Sequence, residues 1–328
     1  MNPSPQADPI RAARTTTGYR RGPNWVAALA ALLTFPLLLV GGTVTTYRVG
    51  LAVPDWPTTF GINMFVYDFW NSAWGVFIEH SHRLYGAAVG LLTIVLAIYF
   101  QWSDQRPWMK AMGWLTLAAV VGQGILGGLR VRWMSTTLAA VHGCTGQAFF
   151  ALLVALFVLT GRRWIEAGAP RPDPSRLRII TASLVALVYA QVVAGAWLRH
   201  YGAGLVVHAT LAALVAPAAV AVAILVLRNR AACPELAPAS RLLIASVSLQ
   251  VLLGIGAWWT LRPFDGIQRV VTTYQAMLRT GHQSNAALLL GVSLVLALRA
   301  ARHLTTSSLP AMSTSSPSRS VAPQEAMA

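Results

Sequence analysis

Eight apolar stretches, near residues 25–46, 83–101, 111–129, 137–160, 179–198, 205–227, 242–260 and 282–298, constrain this chain more than any other feature. Each approaches the roughly 20 residues that a bilayer-spanning helix requires. With 55% hydrophobic and only 11% charged residues, the chain lacks the polar surface that a soluble fold would need. A lipid environment demands that every backbone polar group be satisfied within the segment, so these stretches are expected to be helices. The predicted fold is therefore an all-α integral membrane protein with eight transmembrane helices.

The net charge of +15 could suggest a nucleic-acid binder, but the basic residues are scattered among short connections with no soluble domain to present them. Topology accounts for them better. Placing the N-terminus inside puts Arg106, Lys110, Arg162, Arg163, Arg171, Arg176, Arg178, Arg228, Arg230, Arg241, Arg299 and Arg302 on one face, the bias expected of cytoplasmic loops. Residues 1–24 then form a cytoplasmic tail, and no small-residue cleavage site precedes Arg48, so the first helix is expected to be retained. Both termini are expected in the cytoplasm of a bacterial-type plasma membrane. Residues 304–328, rich in Ser, Pro and Ala, read as a disordered tail. Cys144 and Cys233 fall at different depths, which argues against a disulfide, and Cys144 has no reading beyond small-residue packing.

Self-similarity exposes a repeating helix pair. Gln123 with Gly127, Gly128 and Arg130 precedes His142; Gln191, Gly195 and Arg199 precede His208; Gln250, Gly254 and Arg262 precede His282. A looser copy runs from Gly41-Gly42 and Arg48 to His82. Four pairs make two pseudo-symmetric four-helix bundles, residues 25–160 and 179–300, both entering the membrane from the same side. The recurring glycines admit two readings, close helix packing or room for a macrocycle.

Four histidines at one depth, His82, His142, His208 and His282, supply the chemistry. Ionisable residues inside a membrane are costly and are functional by default. Bundle cores hold cofactors between facing helices, and a heme iron takes an imidazole on each side of its ring. Zinc or copper is less suited, because few further ligands and no His-x3-His or Cys-x2-Cys spacing occur. His80, His200 and His303 read as solvated or interfacial. Arg48, Arg130, Arg199 and Arg262 lie toward the outer surface, where bidentate guanidinium groups could take heme propionates.

Glu79 breaks the symmetry of the halves. It stands three residues before His82, so both can face one cavity, and no acid stands at that spacing before the other histidines. The connection from Tyr47 to Ile78, dense in Trp, Phe and Tyr, reads as an interfacial lid over the first half.

These residues resemble the heme A synthase family across roughly residues 25–300. The resemblance rests on Gly41-Gly42-Thr43, Arg48, Gly50-Leu51, Asp55-Trp56, Glu79-x-x-His82-Arg83, Gln123 to Arg130 with His142, Gln191 to Arg199 with His208, and Thr280-Gly281-His282-Gln283. It implies that His208 and His282 are axial ligands of a heme b cofactor, that His82 and His142 bind the substrate heme O, and that Glu79 is the catalytic carboxylate. It further implies oxidation of a ring methyl of heme O to a formyl group by successive hydroxylations and loss of water, with electrons passing through the second heme. The implied partners are heme O synthase (protoheme farnesyltransferase), cytochrome oxidase assembly and an electron-transfer protein. Some members carry a cysteine pair in the first outer loop; this sequence has none there.

Two other classes compete. A di-heme membrane cytochrome b-type electron-transfer protein would need neither Glu79 nor the aromatic loop. A repeat-built transporter would place polar groups at mid-membrane, whereas the histidines lie toward one face.

Overall fold

The computed structural model describes residues 18–260 and 270–305. Eight of its helices are long and apolar enough to cross a membrane. They are α1 (Arg21–Thr46), α2 (Trp74–Ser103), α3 (Pro107–Arg132), α4 (Thr136–Thr160), α5 (Leu177–Tyr201), α6 (Leu205–Arg228), α7 (Ala237–Thr260) and α8 (Thr273–His303). A hairpin of β1 (Thr58–Thr59) and β2 (Ile62–Asn63) sits between α1 and α2, and β3 (Arg171–Pro172) pairs in parallel with β4 (Leu304–Thr305).

All eight expected helices are present, but several reach further than the apolar stretches. α2 begins nine residues before the expected 83, and α8 nine before the expected 282. These extensions carry polar residues that face the protein interior and not lipid: Glu79, His80 and Thr280 are buried there. α8 also starts at a capping box, in which the Thr272 hydroxyl accepts from the Gln275 N–H and the Gln275 side chain accepts from the Thr272 N–H.

Contacts between helices close two rings, α1–α2–α3–α4 and α5–α6–α7–α8. Each ring has its own core, the first around Val89, Leu96, Phe100 and Leu153, the second around Leu184, Val215, Ala219 and Leu243. The rings meet through α4 against α8, flanked by α1 on α8 and α5 on α4. That exchange of equivalent contacts is the signature of a pseudo-two-fold axis parallel to the helices, as duplication in parallel requires. Seven buried hydroxyls, those of Thr34, Thr93, Thr116, Thr160, Thr181, Ser240 and Ser293, each donate to the carbonyl four residues back.

Alternating helix direction gathers the C-terminal ends of α1, α3, α5 and α7 and the starts of α2, α4, α6 and α8 at one end, beside the four histidines. The opposite end carries the remaining connections, where Arg20 donates to the Ser103 carbonyl. Leu304 and Thr305, the first residues of the expected tail and its next neighbour, are paired with Arg171 and Pro172. The rest of that tail, like residues 1–17, lies outside the described residues.

Candidate functional site

The rings place α2 opposite α4 and α6 opposite α8, and across each diagonal two imidazoles face one another. His82 and His142 have ring centroids 6.4 Å apart with planes at 90°; His208 and His282 stand 6.2 Å apart at 80°. An imidazole nitrogen lies about 2 Å from a metal it ligates and about 1 Å from its own ring centre, so imidazoles on opposite sides of one metal have centroids roughly 6 Å apart. Both pairs have that separation, and both form within a half. Among the described residues no three potential ligands from His, Cys, Asp and Glu converge. Two facing imidazoles without further donors suit a heme iron, whose macrocycle supplies the remaining ligands, better than zinc.

Glycine shapes each imidazole's seat. A Cβ at Gly41 would come 2.9 Å from His82 Cε1, one at Gly127 3.2 Å from that of His142, one at Gly195 3.1 Å from that of His208, and one at Gly254 2.8 Å from that of His282. The recurring glycine therefore makes room for the imidazole itself and not directly for a macrocycle. Gly41, in the loosest repeat, does the same as the other three. Gly128 serves a different neighbour, the Trp56 indole from the first outer loop.

That loop is pinned over the first pair. Arg83 donates to the carbonyls of Asp55 (2.7 Å), Thr58 (3.1 Å) and Val53 (2.9 Å) and to Glu79 Oε1 (3.0 Å). Glu79, 1% exposed, also accepts from the Val53 N–H at 2.9 Å, and Arg130 Nη2 lies 4.0 Å from its Oε1. Asp55 closes the β1–β2 turn, accepting from the Phe60 and Gly61 N–H groups and the Thr58 hydroxyl. Burial by itself would raise the Asp55 pKa; these hydrogen bonds, led by Gly61, outweigh it and hold the carboxyl below its ordinary value.

Two histidines are not where the sequence suggested. His80, expected to be solvated or interfacial, is fully buried beneath the loop, 3.1 Å from the Thr59 hydroxyl and packed on Tyr67 and Phe69. The loop covers it, which helix periodicity alone does not reveal. His200, expected in a short outer loop, lies in the last turn of α5, with Nε2 3.7 Å from the Cβ position of Gly143.

The arginines also part company. Arg130 and Arg199 read as equivalent, yet Arg130 follows its repeat glycine by three residues and Arg199 by four, a difference of about 100° around a helix. Arg130 accordingly packs against Gly50 and approaches Glu79. Arg199 crosses to the other half and donates to the Gly42 carbonyl and the Thr46 hydroxyl, both at 2.7 Å, and to the Arg279 carbonyl. Arg48 is exposed, in the left-handed region at φ 57°. Arg262 lies outside the described residues.

With this geometry in hand, the chain can be set beside known proteins. The family described as cytochrome oxidase assembly protein matches residues 63–210. Proteins named heme A synthase are 27% identical over 227 residues in Rhodopseudomonas palustris, 60% of each chain, and 28% identical over 217 residues in Methylobacterium radiotolerans, 56% of this chain and 57% of that one. Another from Sphingopyxis alaskensis is 32% identical over 146 residues, 40% of this chain and 38% of its own. The relatives set beside it here are all named heme A synthase. The resemblance read from the sequence is borne out, and the chain spans about 60% of the length of the Rhodopseudomonas palustris relatives.

The family match contains Glu79, Arg83, His82, His142 and His208, and ends before His282. Sequence reasoning passed over Arg83 as a structural residue and Gln191 and Gln250 as neighbours of the ligands. Gln191 reaches His208, and Gln250 reaches His282. The signal for both was in the repeat, since each glutamine stands four residues before the glycine that seats the imidazole.

Proposed function

We propose that this chain acts as a heme A synthase, oxidising a ring methyl of heme O to a formyl group by successive hydroxylations that end in loss of water. The observation that carries the reading is the pair of facing imidazole couples, each at heme-ligating separation, with, among the described residues, an acid and a closed loop beside only the first. His82 and His142 would hold heme O as substrate, and His208 and His282 a resident heme b. When bound, heme b would supply a one-electron relay. Glu79, one helical turn before His82, would take a proton or offset positive charge developing on the substrate. Arg83 orients that carboxylate, and the loop excludes water from the reacting methyl.

Arg199 favours a propionate role in the second half, because its hydrogen-bonding partners are neutral carbonyls and a hydroxyl, and among the described residues no carboxylate pairs with it. Arg48, Arg130 and Arg262 are proposed for the same role. The setting would be a bacterial-type plasma membrane with both termini cytoplasmic, heme O synthase upstream, cytochrome oxidase assembly downstream and a separate electron-transfer partner.

Co-expression with a heme O synthase, followed by extraction and chromatography of the hemes, tests the proposal. Heme A is the expected product. Unchanged heme O beside two fully low-spin hemes would favour a di-heme cytochrome b-type electron carrier instead. Glu79→Ala should abolish conversion while the second heme stays bound, and full conversion by that variant would remove Glu79 from the mechanism.

A further inference from the structure

Arg199 is a cation with no anion beside it. It donates to the Gly42 carbonyl and the Thr46 hydroxyl, both at 2.7 Å, and to the Arg279 carbonyl at 3.4 Å, while its Nε is buried without a partner. Every acceptor it reaches is neutral. The arginines beside the first pair differ, since Arg83 and Arg130 lie 3.0 and 4.0 Å from Glu79 Oε1. Among the described residues no carboxylate stands within such a distance of Arg199.

Holding the seam together does not by itself require a charge. Carbonyls between helices are met elsewhere in this fold by neutral amides, as Asn24 meets Phe157, Gln275 meets Thr260 and Asn285 meets Ser246. A guanidinium carries a desolvation cost that those amides do not, and a charge kept within a membrane is functional by default. Its position shows what the charge acts on. Arg199 stands one turn beyond Gly195, the glycine that seats His208, and so lies on the same face of α5. The Arg279 carbonyl that it meets is one turn before His282 on α8, and Gly42 adjoins Gly41, which seats His82. The charge therefore sits at the outer end of the second pair, on the side turned toward the first.

Reduction of a ferric heme adds one electron and removes one unit of positive charge, so a fixed cation nearby favours the reduced form. We infer that Arg199 raises the reduction potential of the heme held by His208 and His282. This rests on the proposed reading of that pair as a one-electron relay and deepens it, because the charge makes the relay a stronger acceptor for an electron leaving the first site. A propionate drawn to the free Nε does not remove the effect, since it belongs to the heme whatever residue occupies this position. Arg199 thus acts through the potential of the relay and not on the reacting methyl.

The test is a spectroelectrochemical titration, at fixed pH, of the full chain loaded with heme b in detergent. The signal of the second pair is the bis-imidazole absorbance that His208→Ala removes. A unit charge acting over roughly 10 Å at an effective dielectric constant of about 20 changes the reduction equilibrium about tenfold. Arg199→Gln should therefore lower the midpoint by about 59 mV, the one-electron equivalent of tenfold, and Arg199→Met should do the same. Arg199→Lys keeps the charge but not the planar fork, and should stay near the wild-type midpoint. Thr46→Val removes a seam hydrogen bond and no charge, so it should lower the thermal transition and leave the midpoint in place. A wild-type midpoint in the neutral variants, or a fall in Arg199→Lys or Thr46→Val as large as in Arg199→Gln, overturns the inference while the relay reading stands. A bis-imidazole absorbance untouched by His208→Ala overturns the relay reading, and the inference with it.

Discussion

A single methyl group decides whether an imidazole can take its seat in this protein. Gly254→Ala would put Cβ 2.8 Å from His282 Cε1, closer than such contacts occur, whereas Gly281→Ala would meet nothing nearer than 3.7 Å. Gly254→Ala should therefore weaken heme binding by the second pair about tenfold or more, the scale of a disturbed ligand setting, and Gly281→Ala should leave it unchanged; heme bound per protein reads both. Asp55 gives a pH signature. Its folded pKa lies below the unfolded value, so its contribution to the β1–β2 turn is fully present above the ordinary carboxylate pKa of about 4 and is lost as pH falls through the lower folded value. Protection of the Gly61 amide, measured as its exchange rate relative to the intrinsic rate at the same pH, should fall on acidification in the wild type and be low at every pH in Asp55→Ala. At this scale the sequence disclosed which residue types matter, because a histidine or an acid in an apolar stretch is conspicuous. It did not disclose that His80 is buried or that Arg130 and Arg199 diverge, since one depends on a loop folding back and the other on a one-residue offset.

At the scale of the element, hydropathy found all eight helices but shortened α2 and α8, whose added turns carry polar residues that face the interior. The stability of those turns is then local and testable. Thr272 caps α8 through the Gln275 N–H, and Gln275 in turn donates to the Thr260 carbonyl at the end of α7. Thr272→Ala should cost about 1 kcal/mol and appear as faster exchange at Gln275, with the later turns of α8 unaffected. The loop between α1 and α2 behaves as one unit with α2 because a single guanidinium, that of Arg83, gathers three of its carbonyls. Arg83→Met should free the loop as a whole, seen as protease cleavage between Val53 and Tyr67, while α2 persists.

For the whole molecule, duplication made the architecture legible: repeated glycine and histidine spacings grouped the eight expected helices into paired halves. The seam between the halves was not legible, because its apolar packing of α4 on α8 looks like any other helix contact and its polar bonds use backbone carbonyls and hydroxyls that carry no distinctive pattern. Arg199 joins α5 to α1 there, and Thr46 and Thr280 share a hydrogen bond at 3.0 Å. Arg199→Leu should reduce stability by about 2–3 kcal/mol, the worth of hydrogen bonds to a charged group, measured as a lower thermal transition in detergent.

The placement of α4 and α8 along this seam has a further consequence. Each imidazole couple joins one central helix, clasped by protein on both sides, to one peripheral helix, α2 or α6, that has lipid at its back. The central member is a doorpost and the peripheral member a door. If the couples hold heme as proposed, a flat ring with a greasy tail would reach each of them sideways from the bilayer, past the peripheral helix, without crossing the water above.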